Sequence, residues 1–567
     1  MSSLSKPLLG IAALLVAILT TGGAIITGSS ARAQSVAAAE PDPCLGLARL
    51  QLDQVEIVSA QSEAADAPVE GVHLYGGMMG KPDWGPAAKG LPAFCRVVGR
   101  IHPEPGSDIG FEVWMPAQDW NGKLSGLGIG GFAGSIDYVG LSSAVKAKQA
   151  GMATNTGHAG SMMDSAWANG HPARVRDYGW RAIHLSTVAA KAIIARYYRR
   201  GVDHAYFVGC SGGGRQGLME ASRFPEDYDG VLAGAPAAVW TDLAIALINP
   251  VQAQQAPRAA IQRSQTPLLQ AEVLRQCDAL DGQVDGLVAD PRRCKPDLSK
   301  LACGVNPSAE CFSPAQLTAL TKIYAGPHDS SGRRLAAGYP PSGSEVGAPN
   351  GWDGYIVAGT KGVPGGAMLI EGLLKDLVQT RFATPQTFDF DKDPARLKAA
   401  LAADLDAKAD LRRFFERGGK LILWHGWADG AIPPEATLRF HDAVLRTSGA
   451  DATASMRLFM VPGVQHCESG AGPDVFGQAN APRPGDTPDR SMSAALQAWV
   501  ETGRRPETFV ARRGGGAMMG LPETKPERQR LLCAYPAEAV LAPGGDPDKA
   551  SSYSCRATTD AKGRVAG

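Results

Sequence analysis

The chain has no surplus of charge of either sign. Lysines and arginines number 56, aspartates and glutamates 56, so the net charge at pH 7 is zero. Without a basic excess, nothing in the charge balance points to nucleic acid or an anionic membrane as a partner. No internal repeat recurs at the roughly 20-to-50-residue periods of solenoids and propellers. No arginine pair precedes the apolar stretch near the N-terminus, and no cysteine lies close behind it. The first absence argues against export in the folded state, the second against a lipid anchor. What is abundant is glycine (68) and proline (40) in 567 residues, the composition of a loop-rich chain with more than one structural unit.

Residues 1–33 read as a signal peptide. Lys6 supplies the positive n-region, Leu8 to Ile18 the apolar core, and Ala31-Arg32-Ala33 an A-x-A cleavage site before Gln34. A membrane anchor is the alternative, but small and polar residues from Thr20 to Ser30 interrupt the apolar run. The expected location is therefore periplasmic or extracellular, with no stable membrane association after cleavage. All ten cysteines follow that site, and an even number in an exported chain implies disulfides. Short loops favour Cys277–Cys294, Cys303–Cys311 and Cys533–Cys555. Cys44–Cys95 and Cys210–Cys467 are then left over, with exchanges among these four still open.

From about residue 54 to 235 the pattern alternates between strands and helices. Cys95–Ile101 and Ile109–Met115 read as strands, the second with period-two alternation. Leu124–Phe132 reads as a strand running into a glycine loop, and Met152–Thr156 as another short strand. Tyr178–Tyr198 has the spacing of an amphipathic helix. This order predicts a doubly wound α/β sheet. Residues 238–407 break the pattern with four cysteines, an Asp-rich turn and Pro/Gly-rich connections, and read as an inserted lid domain. The α/β pattern returns with strands at Lys420–Gly426 and Met456–Val461. The expected division is thus a core of 34–237 and 408–567, split by the insertion.

Gly209-Cys210-Ser211-Gly212-Gly213 matches G-x-S-x-G, the nucleophile elbow, in which a serine sits on a sharp strand-to-helix turn. Glycines flank it because strained dihedrals and close helix–strand packing leave no room for a Cβ. A serine hydroxyl needs an imidazole to take its proton, and the imidazole needs a carboxylate to fix its tautomer. In α/β-hydrolases the chain order is Ser, Asp or Glu, His. Here Ser211 is followed by Asp429 on a turn after one strand and by His466 after the next. His425, in or beside a strand, is a rival base that reads as packed, and His158 is a loop histidine with a structural reading. Glu435 and Asp442 are rival acids expected on the following helix. If Ser211 and His466 are nucleophile and base, their neighbours Cys210 and Cys467 lie close enough to bond.

A tetrahedral intermediate needs two backbone donors. One is expected from Gly212, after the nucleophile. The other is expected from the loop Gly128-Ile129-Gly130-Gly131-Phe132, which resembles the HGGG loop of esterases, with Gly131 first and Gly130 as the alternative. A glycine turn without a ligand is the plainer reading. Gly212-x-Gly214-x-x-Gly217 also satisfies the dinucleotide fingerprint of an oxidoreductase, but the acidic residue about twenty positions on is missing. A non-catalytic aromatic- or carbohydrate-binding protein is the remaining alternative.

Cys210-Ser211, Asp429 and His466-Cys467, together with Trp120-Asn121-Gly122-Lys123 and Gly418-Gly419-Lys420-Leu421, resemble the tannase/feruloyl esterase family, which includes the mono(2-hydroxyethyl) terephthalate hydrolase. The resemblance runs from about residue 44 to the end. It implies an α/β-hydrolase core with a large lid, a Ser211–Asp429–His466 triad and a Cys210–Cys467 disulfide. It also implies a carboxylic ester hydrolase acting on esters of aromatic acids. The family carries a structural calcium in its lid, and the matching stretch is Cys277 to Leu287. Asp278, Asp281 and Asp285 map onto its side-chain ligands, Gln283 and Leu287 onto its carbonyl ligands; a hard cation wants such oxygens. The spacing is not that of an EF-hand, and a solvated acidic turn is the alternative. Trp352 and Tyr355 are candidates for the acyl pocket, with core packing as the alternative. The individual ester and the oligomeric state stay open.

Overall fold

A computed structural model of the chain describes residues 42–70, 72, 90–304, 310–347, 349–357, 364–514 and 528–557. The expected signal peptide lies outside them. The frame is a nine-stranded sheet in the order β1-β2-β3-β5-β4-β6-β7-β8-β9. Its strands are β1 (Val55–Glu63), β2 (Phe94–Ile101), β3 (Ile109–Pro116), β4 (Lys123–Leu127), β5 (Ala150–Thr154), β6 (His204–Cys210), β7 (Gly230–Gly234), β8 (Lys420–Gly426) and β9 (Met456–Val461). β1 to β3 and the β3–β5 pair are antiparallel, and the rest of the sheet is parallel. The architecture is the α/β fold expected from the sequence.

The central strands are buried along almost their whole length and mostly apolar, because both faces are covered. Alternate residues go to opposite sides. Phe207, Leu421 and Leu423 join a core with the helices Ala182–Tyr198, Gly212–Arg223 and Pro434–Ser455. Tyr206, Val208, Ile422 and Trp424 join another with the helix Met492–Thr502 and the ribbon β10 (Thr508–Arg512) and β11 (Gln529–Cys533). A second ribbon pairs β12 (Glu538–Leu541) with β13 (Tyr553–Arg556). β7 was not read from sequence, because its packing demands small residues. A Cβ on Gly230 would lie 3.0 Å from Leu496 and from Tyr206, and one on Gly234 would lie 2.3 Å from Trp424.

β4 lies between β5 and β6, so the strand order reverses there, the usual position of an α/β site. The expected helix at Tyr178–Tyr198 begins later, at Ala182, because Asp177–Arg181 forms a wider π turn. That turn leaves carbonyls free for the buried Arg215, which donates to Gly179 (2.7 Å) and Tyr178 (3.2 Å).

Between β7 and β8 the described residues add no strand to the sheet. They form helices including Trp240–Ala253, Thr266–Cys277, Pro314–Ala325 and Asp393–Leu405, with a core of their own. That core continues into Phe132 after β4 and into Ala431 and Ile432 after β8. Five disulfides are formed: Cys44–Cys95, Cys210–Cys467, Cys277–Cys294, Cys303–Cys311 and Cys533–Cys555.

Candidate active site

Ser211 ends β6 and begins the helix Gly212–Arg223, with φ +62° and ψ −123°. Few non-glycine residues hold such angles, and here the surroundings impose them. The Ser211 N–H is bonded to the Gly234 carbonyl at 2.9 Å. Behind it, a Cβ on Gly209 would meet the Gly213 backbone at 2.5 Å, and one on Gly213 would meet the Gly128 backbone at 2.8 Å. The elbow glycines are therefore required by contact. The glycines of the apparent dinucleotide fingerprint serve the same packing: a Cβ on Gly214 would lie 2.6 Å from the Gly234 carbonyl oxygen, and one on Gly217 2.8 Å from Val231.

Asp429 and His466 occupy the loops after β8 and β9. The His466 Nδ1 lies 2.8 Å from Asp429 Oδ2. Asp429 Oδ1 accepts the N–H groups of Ala431 and Ile432, both at 2.8 Å. Burial pushes this carboxyl up, but the His466 charge and the hydrogen bonds of both His425 and His466 more than offset it and hold it well below the usual range. His425 is fully buried, with Nε2 3.1 Å from both Asp429 Oδ2 and the Ile432 carbonyl, and Nδ1 2.7 Å from Thr437 Oγ1. These partners make Nε2 the protonated nitrogen, so His425 holds the acid and is not itself placed as a base. Sequence reading had it packed but missed this role. Glu435 is paired with Arg334 and Arg439, and both Glu435 and Asp442 lie on the helix Pro434–Ser455.

Ser211 and His466 line one cavity of about 400 Å³. Among the described residues no hydrogen bond joins their side chains, a looseness common before substrate closes such a site. In the glycine loop the N–H groups of Gly128, Ile129, Phe132 and Ala133 are bonded within the protein. Those of Gly130 and Gly131 have no partner among the described residues, nor has that of Gly212 at the start of its helix. Gly131 has φ +56°, and a Cβ there would lie 2.4 Å from the Met162 carbonyl oxygen. The loop is pinned by the Tyr178 hydroxyl, donating to the Gly131 carbonyl at 2.9 Å, and by His158 Nε2, 2.8 Å from the Phe132 carbonyl. His158 is thus structural, stacked on Trp167 at 3.8 Å, and burial lowers its pKa to about 4.

The segment between β7 and β8 reaches the same cavity. The His466 N–H is bonded to the Asn350 carbonyl at 3.2 Å, and Gln465 donates to the carbonyls of Val346 (2.6 Å) and Ser344 (3.3 Å). Tyr339 donates to the Ala431 carbonyl at 3.0 Å. The cavity wall is apolar at Ile129, Met162, Trp240, Leu243, Leu247 and Leu369, with Tyr355 beside His466 at 5.7 Å. Trp352 does not line it and packs against Tyr324. The sequence offered no signal for the face presented by Trp240, Leu243 and Leu247. Cys210 and Cys467 are bonded across 257 residues, with Cα atoms 6.0 Å apart.

The acidic stretch folds as a loop after Cys277. Asp278 accepts the N–H of Gly286 at 3.0 Å, and Asp281 that of Gln283 at 2.9 Å. Arg530 lies 2.5 Å from Asp285, 3.4 Å from Asp281 and 3.3 Å from the Gln283 side chain. Burial raises the Asp281 pKa, Arg530 opposes this, and Asp285 and Asp278 add to it. The carboxylate oxygens do not all come within 4.8 Å of one another. The donor set is oxygen-rich, as a hard cation requires, with three carboxylates in one loop, although Arg530 pairs with two of them and Arg528 donates to the Asp285 carbonyl at 3.0 Å. The Gln283 side chain is taken by Arg530 and Tyr553, which leaves its carbonyl as the donor to offer.

The family model described as tannase and feruloyl esterase matches residues 95–556. An uncharacterized esterase of Xanthomonas campestris is 36% identical over 565 residues, covering 94% of this chain and 93% of the relative. The mono(2-hydroxyethyl) terephthalate hydrolase of Piscinibacter sakaiensis is 32% identical, covering 83% of this chain and 86% of that one. Feruloyl esterase B from Aspergillus oryzae superposes with a TM-score of 0.78 at 26% identity, over 91% of this chain and 99% of its own.

A pH dependence follows from His158. Its pKa falls from an ordinary 6.5 to about 4 in the fold, so the unfolded chain takes up the proton first. Its contribution to stability is present above 6.5 and lost as pH falls toward 4. Glu345, pushed up to about 7 by burial, titrates with the opposite sign but is common to parent and variant. His158→Gln should therefore be destabilised, with a deficit in denaturant unfolding that narrows as pH falls through this window. A deficit independent of pH would show that His158 is not buried neutral.

Proposed function

Because the chain belongs to the tannase and feruloyl esterase family, we propose that it hydrolyses esters of aromatic acids through a Ser211–His466–Asp429 triad. At the level of reaction class it is a carboxylic ester hydrolase, like its family and relatives. The proposed substrates are feruloyl, galloyl or terephthaloyl monoesters, for which an apolar cavity of about 400 Å³ with a few polar groups is suited. The observation that carries the triad is the buried pair of His466 and Asp429, 2.8 Å apart, opening on the cavity that also holds the strained Ser211.

In this reading Ser211 Oγ attacks the ester carbonyl as His466 Nε2 takes its proton. Asp429 holds Nδ1–H and stabilises the imidazolium. The oxyanion is met by the N–H groups of Gly212 and Gly131, at a helix N-terminus whose dipole favours negative charge. The intermediate collapses to an acyl-Ser211, and His466 returns the proton to the departing alcohol. Water, deprotonated by His466, then releases the acid and restores the serine.

Residues 238–407 are proposed as a lid that shapes the acyl side and fastens the base loop. Export is proposed as well, since five disulfides suit an oxidising compartment. Among the described residues no helix is long and apolar enough to cross a membrane. A structural calcium is proposed at Asp278, Asp281 and Asp285 with the carbonyls of Gln283 and Leu287. When bound it would neutralise the loop and tie the lid together, apart from the chemistry.

Ser211→Ala should lower hydrolysis of methyl ferulate, methyl gallate and the terephthalate monoester by roughly a thousandfold or more with an unchanged melting curve, and His466→Ala should be comparably damaging. A Ser211→Ala protein that keeps a tenth or so of parental activity would refute the nucleophile.

Removing the Cys210–Cys467 bond by a double alanine variant should lower kcat more than it raises KM, because it loosens the base relative to the nucleophile. A change confined to melting temperature would reduce the bond to a stability role.

Calcium added to chelator-treated protein should raise Tm by mass action, and Asp281→Asn should abolish the response. An identical calcium response in that variant would exclude the loop.

A further inference from the structure

Near the C-terminal end of the helix that Ser211 opens, apart from the residues that line the cavity, three potential metal ligands meet. His184 comes from the helix Ala182–Tyr198, Glu220 from the helix Gly212–Arg223, and Asp227 from the turn leading to β7. One ligand atom of each lies within 4.8 Å of the others. His184 Nδ1 is 2.6 Å from Asp227 Oδ2. The imidazole is held by stacking on Phe224, with centroids 3.7 Å apart. Glu220 is 1% exposed, and neither of its carboxylate oxygens has a hydrogen-bond partner among the described residues.

A carboxylate buried without a partner is unfavourable, and it normally finds a donor, a proton or a cation. The nearest ammonium does not serve. Lys191 donates to the main-chain carbonyls of Asp227 (2.5 Å) and Glu226 (3.3 Å). Arg417 is turned to the Tyr228 carbonyl and Asp229, and the Tyr228 hydroxyl is paired with Thr187. Glu220 thus faces Asp227 and His184, and no group among the described residues donates a hydrogen bond to either of its oxygens. The His184 side chain is 25% exposed, which gives solvent, and hence an ion with one remaining water, a way in.

We infer that His184, Glu220 and Asp227 form a binding site for a divalent transition-metal ion, with zinc as its best-matched occupant. One imidazole and two carboxylates are a borderline-soft donor set, suited to zinc with water in the fourth position and poorly suited to calcium, which wants six or more oxygens. Such an ion would cross-link two helices and the turn before β7. One of those helices is opened by Ser211, so the ion would brace the nucleophile's helix without touching the substrate.

The test uses the full mature protein stripped of metal and then saturated with calcium. Zinc titrated into it should bind with one equivalent in calorimetry and raise Tm. His184→Ala should weaken that binding by at least about tenfold. Glu220→Gln should remove it, because a neutral amide cannot supply the second carboxylate of the set. Asp281→Asn, in the separate acidic loop, should bind zinc like the parent. The inference is overturned if zinc neither binds nor shifts Tm, which would leave Glu220 and Asp227 sharing a proton. Equal zinc binding in Glu220→Gln and the parent would overturn it too, by assigning the ion to other surface histidines.

Discussion

At Gly128, Gly209 and Gly213 three stretches of backbone approach so closely that no Cβ fits between them. This contact sets the depth at which the helix Gly212–Arg223 sits against β4 and β6, and hence where Ser211 emerges. It also brings the Gly130–Gly131 turn over the nucleophile: a Cβ built on Gly130 would lie 3.6 Å from that of Ser211. Ser211 and the proposed oxyanion donors are therefore positioned by main chain, with side-chain rotamers playing little part. The positive φ of Ser211 follows from that arrangement, and the hydrogen bond from its N–H to Gly234 helps to hold it.

His466, the proposed base, has no such rigid seat. Its loop carries positive φ at Cys467 and Ser469 and depends on outside supports. Those supports are the Cys210 sulfur on one side and the carbonyls of Ser344, Val346 and Asn350 on the other. Asn350 and Tyr355 line the cavity, and the same stretch fastens His466 from behind. A segment that lines the cavity is thereby coupled to His466: altering it to reshape the cavity also shifts the imidazole. The disulfide limits that shift by tying the base loop to the rigid elbow.

Much of the site was legible because its constraints are local. The elbow pattern records the glycine contacts, and the chain order of Ser211, Asp429 and His466 follows from strands whose C-terminal ends share one edge of the sheet. What was not legible depends on facing directions or on distant partners. Trp352 and Tyr355 share one helical turn, yet the first is core and the second lines the cavity. His425 looked merely packed, because its task is defined by an acid four residues on and a threonine from the next helix. The three aspartates of the 278–285 loop were plain in sequence, whereas Arg530, which neutralises part of their charge, comes from β11. β7 escaped notice since its glycines, which suggest a turn, are there to admit Leu496 and Trp424.

Two buried carboxylates show how differently one fold treats the same group. Asp429 accepts from two imidazoles and two backbone N–H groups, and it is held as an anion. Glu220, on the helix that Ser211 opens, has none of these partners, and burial pushes its pKa well above the usual range. Leaving it ionised and alone would cost on the order of several kcal/mol, so the fold must supply a proton or a cation. A shared proton needs only the second carboxylate, Asp227. It leaves His184, stacked on Phe224, bonded among the described residues to Asp227 alone, with its ring nitrogen within reach of Glu220 as well. His184 engages Asp227 at 2.6 Å while both oxygens of Glu220 are left without a partner among the described residues, and one donor from each of the three completes a coordination set. The position of that imidazole is what favours a metal ion over a proton as the partner of Glu220.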